Sequence, residues 1–370
     1  MLYHLHELAS YHPVFGLLRH AELRAVLAAL TAFLIALLFG RWFIDFQRQR
    51  SVFERAEKGD SARLSDLHQH KGRTPTMGGV ILLLATVSGT LCFAHPESRL
   101  VHVLLITTLG FGLVGFADDL VKLRSRRKGL SARAKLLFQV GIASLVGWYL
   151  YRFPIEVGRA GAGGELGTAL FVPFVKDWHL PLGGAYVLLV VLVTTGASNA
   201  VNLTDGLDGL AIGCSVLVGL TLATVALLAG HERSSAFLEI PHVAGGSEVA
   251  VFASALVGAG MGFLWFNCHP AQIFMGDTGA LAVGGALGLV AVLCKQEVLL
   301  VLAGGVLVAE VMSVVLQVAS FKLRGKRIFL IAPLHHHYQF LGWNETKVTV
   351  RFWIAAALLA LVSLASLKLA

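Results

Sequence analysis

Charge is what this sequence has least of. Asp, Glu, Lys and Arg make up 14% of its 370 residues against 56% hydrophobic types, and the mean hydropathy is +0.73. The polar surface of a water-soluble domain is missing, and that class is excluded. Cysteine occurs only four times. Cys92, Cys214, Cys268 and Cys294 lie in or beside apolar runs without C-x-x-C spacing, which excludes a disulfide framework and a cysteine zinc centre and leaves them as packing residues. A removable leader is missing as well: the first apolar run begins near position 23, without a basic n-region or an A-x-A site, and reads as a retained span.

Long apolar runs are what the chain has instead. A helix crossing the hydrocarbon core takes about 20 mostly apolar residues. Ten stretches qualify: 23–43, 77–95, 101–117, 136–152, 182–201, 210–230, 249–266, 279–294, 298–320 and 351–369. The expectation is an all-α polytopic membrane protein, a single integral domain over 1–370 with about ten transmembrane helices. Of the 30 Lys and Arg, 20 fall in the connections 44–76, 118–135 and 321–351. The positive-inside bias makes those loops cytoplasmic, and alternation adds 202–209 and 267–278. The termini and the loops 96–100, 153–181, 231–248 and 295–297 then lie outside. The net charge of +8 is thereby a topology signal, not a nucleic-acid footprint.

The polar residues inside this frame gather on the cytoplasmic side. Asp118 and Asp119 follow an apolar run in GFADDLVK, Asn199, Asn202, Asp205 and Asp208 lie in ASNAVNLTDGLDGLA, and Asn267 and Asp277 bracket NCHPAQIFMGDTG. Five such carboxylates facing lipid would cost about 12–17 kcal/mol on insertion scales, so a wet, protein-walled cleft is expected. Neighbouring acids are tolerable beside a divalent cation, beside a fixed cationic group, or where one keeps its proton. Mg²⁺ suits such a rim, since it takes one or two carboxylates with waters and a substrate phosphate.

Cations that suit an anionic substrate stand on the same side. Lys71 and Arg73 precede TPTMGG, which contains Thr76, and Lys122 to Lys135 reads KLRSRRKGLSARAK. Most of these serve topology; Lys71 and Lys135, each close to a span, are the candidate phosphate or nucleotide contacts. In PLHHHYQFLGWNE, His335, His336 and His337 cannot all reach one ion from a regular helix, and no acidic or cysteine ligand stands at zinc spacing. They read as donors to a phosphate or sugar. Glu310, Ser313 and Gln317 form a polar stripe on the ninth span, lining the cleft or pairing between helices.

TPTMGG, GFADDLVK, NAVNLTDGLDGLA, FMGDTG and PLHHHYQFLGW, in this order and spacing, resemble the polyprenyl-phosphate N-acetylhexosamine-1-phosphate transferases. Within them the uninterrupted triple histidine and LTDGLDGLA resemble the phospho-N-acetylmuramoyl-pentapeptide branch, from about Arg41 to the last span. Ala280 departs from the family, which often has Ser there. The resemblance implies ten transmembrane helices, Mg²⁺, a homodimer, an inner-membrane location, and a reaction between UDP-MurNAc-pentapeptide and undecaprenyl phosphate that yields lipid I and UMP. It also implies a short periplasmic β-hairpin, for which 153–174, with its Gly-rich turn, is the candidate.

By resemblance, Asp277 is the metal ligand, Asp118 orients or deprotonates the lipid phosphate with Asp119 in support, and His335 donates to the diphosphate. Lys71, Asn202, Asp205, Gly206, Leu207, Asp208, Asn267 and Phe274 are assigned to the nucleotide. Thr76, Lys135, Asn199, Glu310, His336 and His337 complete the substrate-binding candidates. Direct attack by the lipid phosphate is the preferred mechanism. The alternatives are double displacement through an aspartyl intermediate and, from another class, a secondary transporter.

Overall fold

A computed structural model describes residues 2–50, 74–124, 129–158, 164–172 and 178–368. Two short 3-10 segments, Leu2–Ser10 and Pro13–Arg19, precede the helices α1 (Ala21–Gln49), α2 (Gly79–Phe93), α3 (Arg99–Arg124), α4 (Ala132–Arg152), α5 (Tyr186–Thr204) and α6 (Leu210–Gly230). The rest are α7 (Glu232–Leu238), α8 (Gly246–Asn267), α9 (Gly276–Leu293), α10 (Glu297–Ala303), α11 (Gly305–Arg324), α12 (Leu334–Phe340) and α13 (Glu345–Ser366). Among the described residues nine helices are long and apolar enough to cross a membrane. Leu113, Leu145, Leu188, Leu192 and Leu361 point outward, as side chains do where the solvent is lipid. The protein is an all-α, multi-pass membrane protein, as its hydropathy requires.

The tenth expected span, 77–95, is the shorter apolar helix α2. Its 15 residues cover about 22 Å at 1.5 Å per residue. The extended stretch before it is hydrogen-bonded to the connection between α8 and α9: Gly78 and Gly79 donate to the carbonyls of Phe274 and Met275, and Phe274 donates to that of Pro75, each at 2.8 Å. Irregular backbone between spans is stable when its polar groups are answered in this way.

α9 is the axis of the bundle. Every residue from Asp277 to Leu293 is buried, with α2, α3, α5, α6 and α8 packed around it. Small residues permit this: a Cβ on Gly79 would run into the backbone of Gly279, and one on Gly115 into the carbonyl of Asp277, so α2 and α3 approach α9 at backbone distance. The expected ninth span, 298–320, is broken, α10 ending at Ala303 and α11 starting at Gly305.

Strand pairing in the connections 153–181 and 231–248 differs from the single hairpin expected over 153–174. Val157–Gly158 (β1) pairs antiparallel with His242–Val243 (β4), and Ala169–Phe171 (β2) with His179–Pro181 (β3). The hairpin is thus β2–β3, shifted along the chain, while β1 finds a partner far away. Alternation in a sequence marks strands but not which strand each pairs with. The same end is fastened by buried charge. Arg24 binds Glu248 at 2.5 and 2.9 Å and the Phe93 carbonyl at 2.9 Å. Lys295 donates to the Gly167 carbonyl at 2.5 Å and to the Tyr186 hydroxyl at 2.9 Å.

Candidate active site

α3 runs past the expected end of its span to Arg124, so Asp118 and Asp119 stand on continuous helix, about 100° apart around its axis. They therefore face different partners. Asp119 Oδ1 accepts the main-chain N–H of Asp277 at 3.1 Å, and Oδ2 accepts the N–H and hydroxyl of Thr278 at 3.0 and 2.6 Å. It caps α9 from another helix, satisfying N–H groups that a helix start leaves open and placing negative charge at the positive end of the dipole. The chain turns into α9 at Gly276, whose φ is +71°; a Cβ there would stand 2.8 Å from Asp119.

Asp118 faces the beginning of α4. Its Oδ1 accepts the Leu130 N–H at 2.6 Å, while Oδ2 lies 2.9 Å from Lys122 Nζ and 3.4 Å from Lys135 Nζ. Oδ2 nevertheless has no hydrogen-bond donor with acceptable geometry. Both lysines also reach Asp277, Lys122 to Oδ1 at 3.2 Å and Lys135 to Oδ2 at 2.7 Å, and Asn202 Nδ2 donates to Oδ1 at 3.1 Å. Carboxylate oxygens of Asp118, Asp119 and Asp277 all lie within 4.8 Å of one another. Three carboxylates against two ammoniums leave this cluster formally negative. With Asp119 spent on its cap, Asp118 and Asp277, both paired with Lys122 and Lys135, are the carboxylates that could hold a hard cation.

Beside this cluster the connection after α5 is tied to the one after α8. Asp208 Oδ2 accepts from Ala271 N and pairs with His269 Nδ1, both at 3.1 Å, and the Asp208 N–H donates to Glu345 at 2.8 Å. Asn267 accepts the Gly209 N–H at 3.2 Å and donates to the Ile273 carbonyl at 2.9 Å. Asp205 ends α5, its N–H on the Val201 carbonyl at 3.1 Å, and lies outside the three-carboxylate group. Leu207 is buried and Phe274 half-buried. Thr76 is buried, its carbonyl accepting from Gln47 at 3.4 Å. Asn199 donates to Gln139 Oε1 at 2.9 Å and the Thr195 carbonyl at 2.8 Å. Lys71 and Arg73 lie outside the described residues.

The three histidines diverge. His335 turns inward: Glu310 accepts its main-chain N–H at 3.1 Å and pairs with Nδ1 at 3.2 Å. His336 pairs with Gln339 at 2.8 Å, and His337 Nδ1 accepts the Leu330 N–H at 3.2 Å. Gln317 accepts the N–H groups of Ile328 and Phe329 at 3.0 Å, so the stripe on α11 holds the histidine-bearing connection.

Two comparisons bear on what this arrangement serves. Residues 101–295 match the model of glycosyl transferase family 4. Over the full length of both chains the sequence is 44% identical to the phospho-N-acetylmuramoyl-pentapeptide-transferase of Pelobacter propionicus, 43% to that of Methylacidiphilum infernorum and 44% to that of Citrifermentans bemidjiense. The chain belongs to this transferase family. It is an enzyme of peptidoglycan synthesis, and the transporter alternative falls.

In this transferase, sequence reasoning missed Lys122, which lies within 4.0 Å of all three acids. It stands one helical turn beyond Asp118 on α3, where a basic residue after a span reads from sequence alone as a topology signal. Also missed were Gln139, which holds Asn199 and donates to Ser198 at 3.2 Å, and the clasp of His269 and Glu345 on Asp208. Nothing in their local sequence marks them.

Proposed function

We propose that this transferase moves phospho-MurNAc-pentapeptide from UDP-MurNAc-pentapeptide to undecaprenyl phosphate, giving lipid I and UMP, at the cytoplasmic face of a bacterial inner membrane. The observation that carries this reading is the meeting of Asp118, Asp277, Lys122, Lys135 and Asn202 at one end of the bundle, the end with the basic connections. The names of the full-length relatives support the substrate pair.

Mg²⁺ suits the donor set. Asp118 and Asp277 offer hard oxygens, and three carboxylates around two ammoniums keep the cluster formally negative. Asp277 would be the principal ligand with Asp118 beside it. The bound ion would supply Lewis-acid neutralisation of the diphosphate.

The chain's own groups do the rest. A phosphate monoester has its second pKa near ~6, so the lipid phosphate is largely a dianion at neutral pH and needs orientation more than deprotonation. Asp118 orients it. One of its oxygens bonds to the β-phosphorus, the bond from that phosphorus to the bridging oxygen breaks, and UMP leaves with the electron pair. Lys122 and Lys135 stabilise the charge that grows on UMP, Asn202 and Asp119 hold Asp277 by its carboxylate and its peptide, and His335 donates to a diphosphate oxygen. The clasped connections 205–209 and 267–274, with Lys71, form the nucleotide side, where the Phe274 ring stacks on uracil.

Direct attack is favoured over an aspartyl intermediate because Asp118 and Asp277 are each held by two ammoniums, which makes them poor nucleophiles. Purified chain given β-labelled UDP-MurNAc-pentapeptide is expected to pass the label to undecaprenyl phosphate. Labelled UMP is expected to exchange into the nucleotide only when the lipid is present. Exchange without lipid would reverse the choice of mechanism, and no lipid-linked label would overturn the function.

A further inference from the structure

We infer that Glu310 is a positioning residue that works through His335, an inference resting on the functional reading above. Glu310 is 0% exposed and His335 1%, so the glutamate lines no open cleft. Its carboxylate makes two contacts to one residue, accepting the main-chain N–H of His335 and pairing with Nδ1. The first fixes where α12 begins, the second how the ring is turned.

A carboxylate can only accept, so Nδ1 carries the hydrogen and Nε2 is the open valence. Nε2 is buried without a hydrogen-bond partner, and it points at Gly206, where a Cβ would overlap it. The backbone of Gly206 has no positive φ, so glycine is needed there for space and not for conformation. A buried ring nitrogen is costly to leave unpaired. Its partner is a phosphoryl oxygen arriving between the α5–α6 connection and α12. An oxygen accepting from Nε2 while Nδ1–H stays on Glu310 requires the doubly protonated ring, whose charge the Glu310 carboxylate balances. His336 is engaged with Gln339, and His337 with the Leu330 N–H. Ser313 donates to the Glu310 carbonyl at 2.6 Å, and Gln317 holds the connection that leads into α12, so α11 is a scaffold for one imidazole.

The test is a double-mutant cycle on the purified full chain, read as UMP release from UDP-MurNAc-pentapeptide with undecaprenyl phosphate and Mg²⁺. E310A and H335A are each expected to lower kcat roughly 10²-fold. E310A in the H335A background is expected to cost no more than about threefold further, since a group acting only through His335 has nothing left to act on. The isosteric E310Q runs through the same cycle should E310A fail to fold: it is expected to lower kcat alone and to add nothing to H335A. G206A, which pushes on Nε2, is expected to match the kcat loss of H335A. Losses that multiply in the double variant, or a wild-type kcat in E310A and E310Q, would overturn the inference while leaving the function standing. A wild-type chain that releases no UMP would overturn both.

Discussion

Asp118 and Asp119 are adjacent in sequence and bonded to different partners. Asp119 is bonded to the start of α9, and Asp118 to the Leu130 N–H and to two lysines it shares with Asp277, so their mutual repulsion is outweighed. Different losses follow on substitution. D119A removes a helix cap and is expected to lower stability by about 0.5–2 kcal/mol, seen as a lower unfolding midpoint in detergent together with lost activity. D118N is nearly isosteric, keeps an acceptor for the Leu130 N–H and should unfold close to wild type while losing most UMP release. K122M is expected to lower kcat roughly 10²-fold because Lys122 is shared by Asp118 and Asp277. Equal unfolding midpoints for D119A and wild type would contradict the division. The acids were legible in the sequence because a carboxylate at the end of an apolar run needs a reason. Lys122 was not, because a basic residue after a span already has one.

Among the elements, α9 was readable as a span but not as the axis. Its glycines are uninformative until the facing residues are known. α2 and α3 pack at backbone distance only because Gly79 and Gly115 face α9, and the position of Asp277 depends on that closeness. G115L is therefore expected to push α3 from α9 and cost activity although residue 115 touches no substrate; a wild-type rate with an unchanged unfolding midpoint would argue against it. The break at Gly304 and the pairing of β1 with β4 were invisible for a related reason. Hydropathy reports that a segment is buried, and alternation reports a strand, but neither reports the partner. The contact of Glu310 with His335 crosses two elements and is likewise tertiary information.

For the whole molecule, the two ends of the bundle carry different kinds of charge. The candidate site gathers acids and bases where a substrate can neutralise them, while the opposite end uses buried pairs as fasteners. Lys295, in the connection between α9 and α10, is held down by burial to about 8, an effect that nearby Glu297 partly offsets. Between about 8 and the ordinary lysine value of 10.5 the unfolded chain binds a proton that the folded chain does not, so stability attributable to this lysine rises with pH across that window. The unfolding midpoint of wild type relative to K295M is expected to increase between pH 8 and 10; a constant difference would refute the assignment. The all-α, multi-pass character was plain from composition, because the bilayer leaves few alternatives, whereas the shortness of α2 was not.

If Asp277, held against Asp118 by α3 and α9, is where the nucleotide diphosphate meets the lipid phosphate, then UMP release in nanodiscs by wild type and D277N, with and without Mg²⁺ and undecaprenyl phosphate, decides the matter. Release is expected only when both are supplied, with D277N slower than wild type by roughly 10²–10³-fold at an unchanged unfolding midpoint. D277N turning over at the wild-type rate would contradict it.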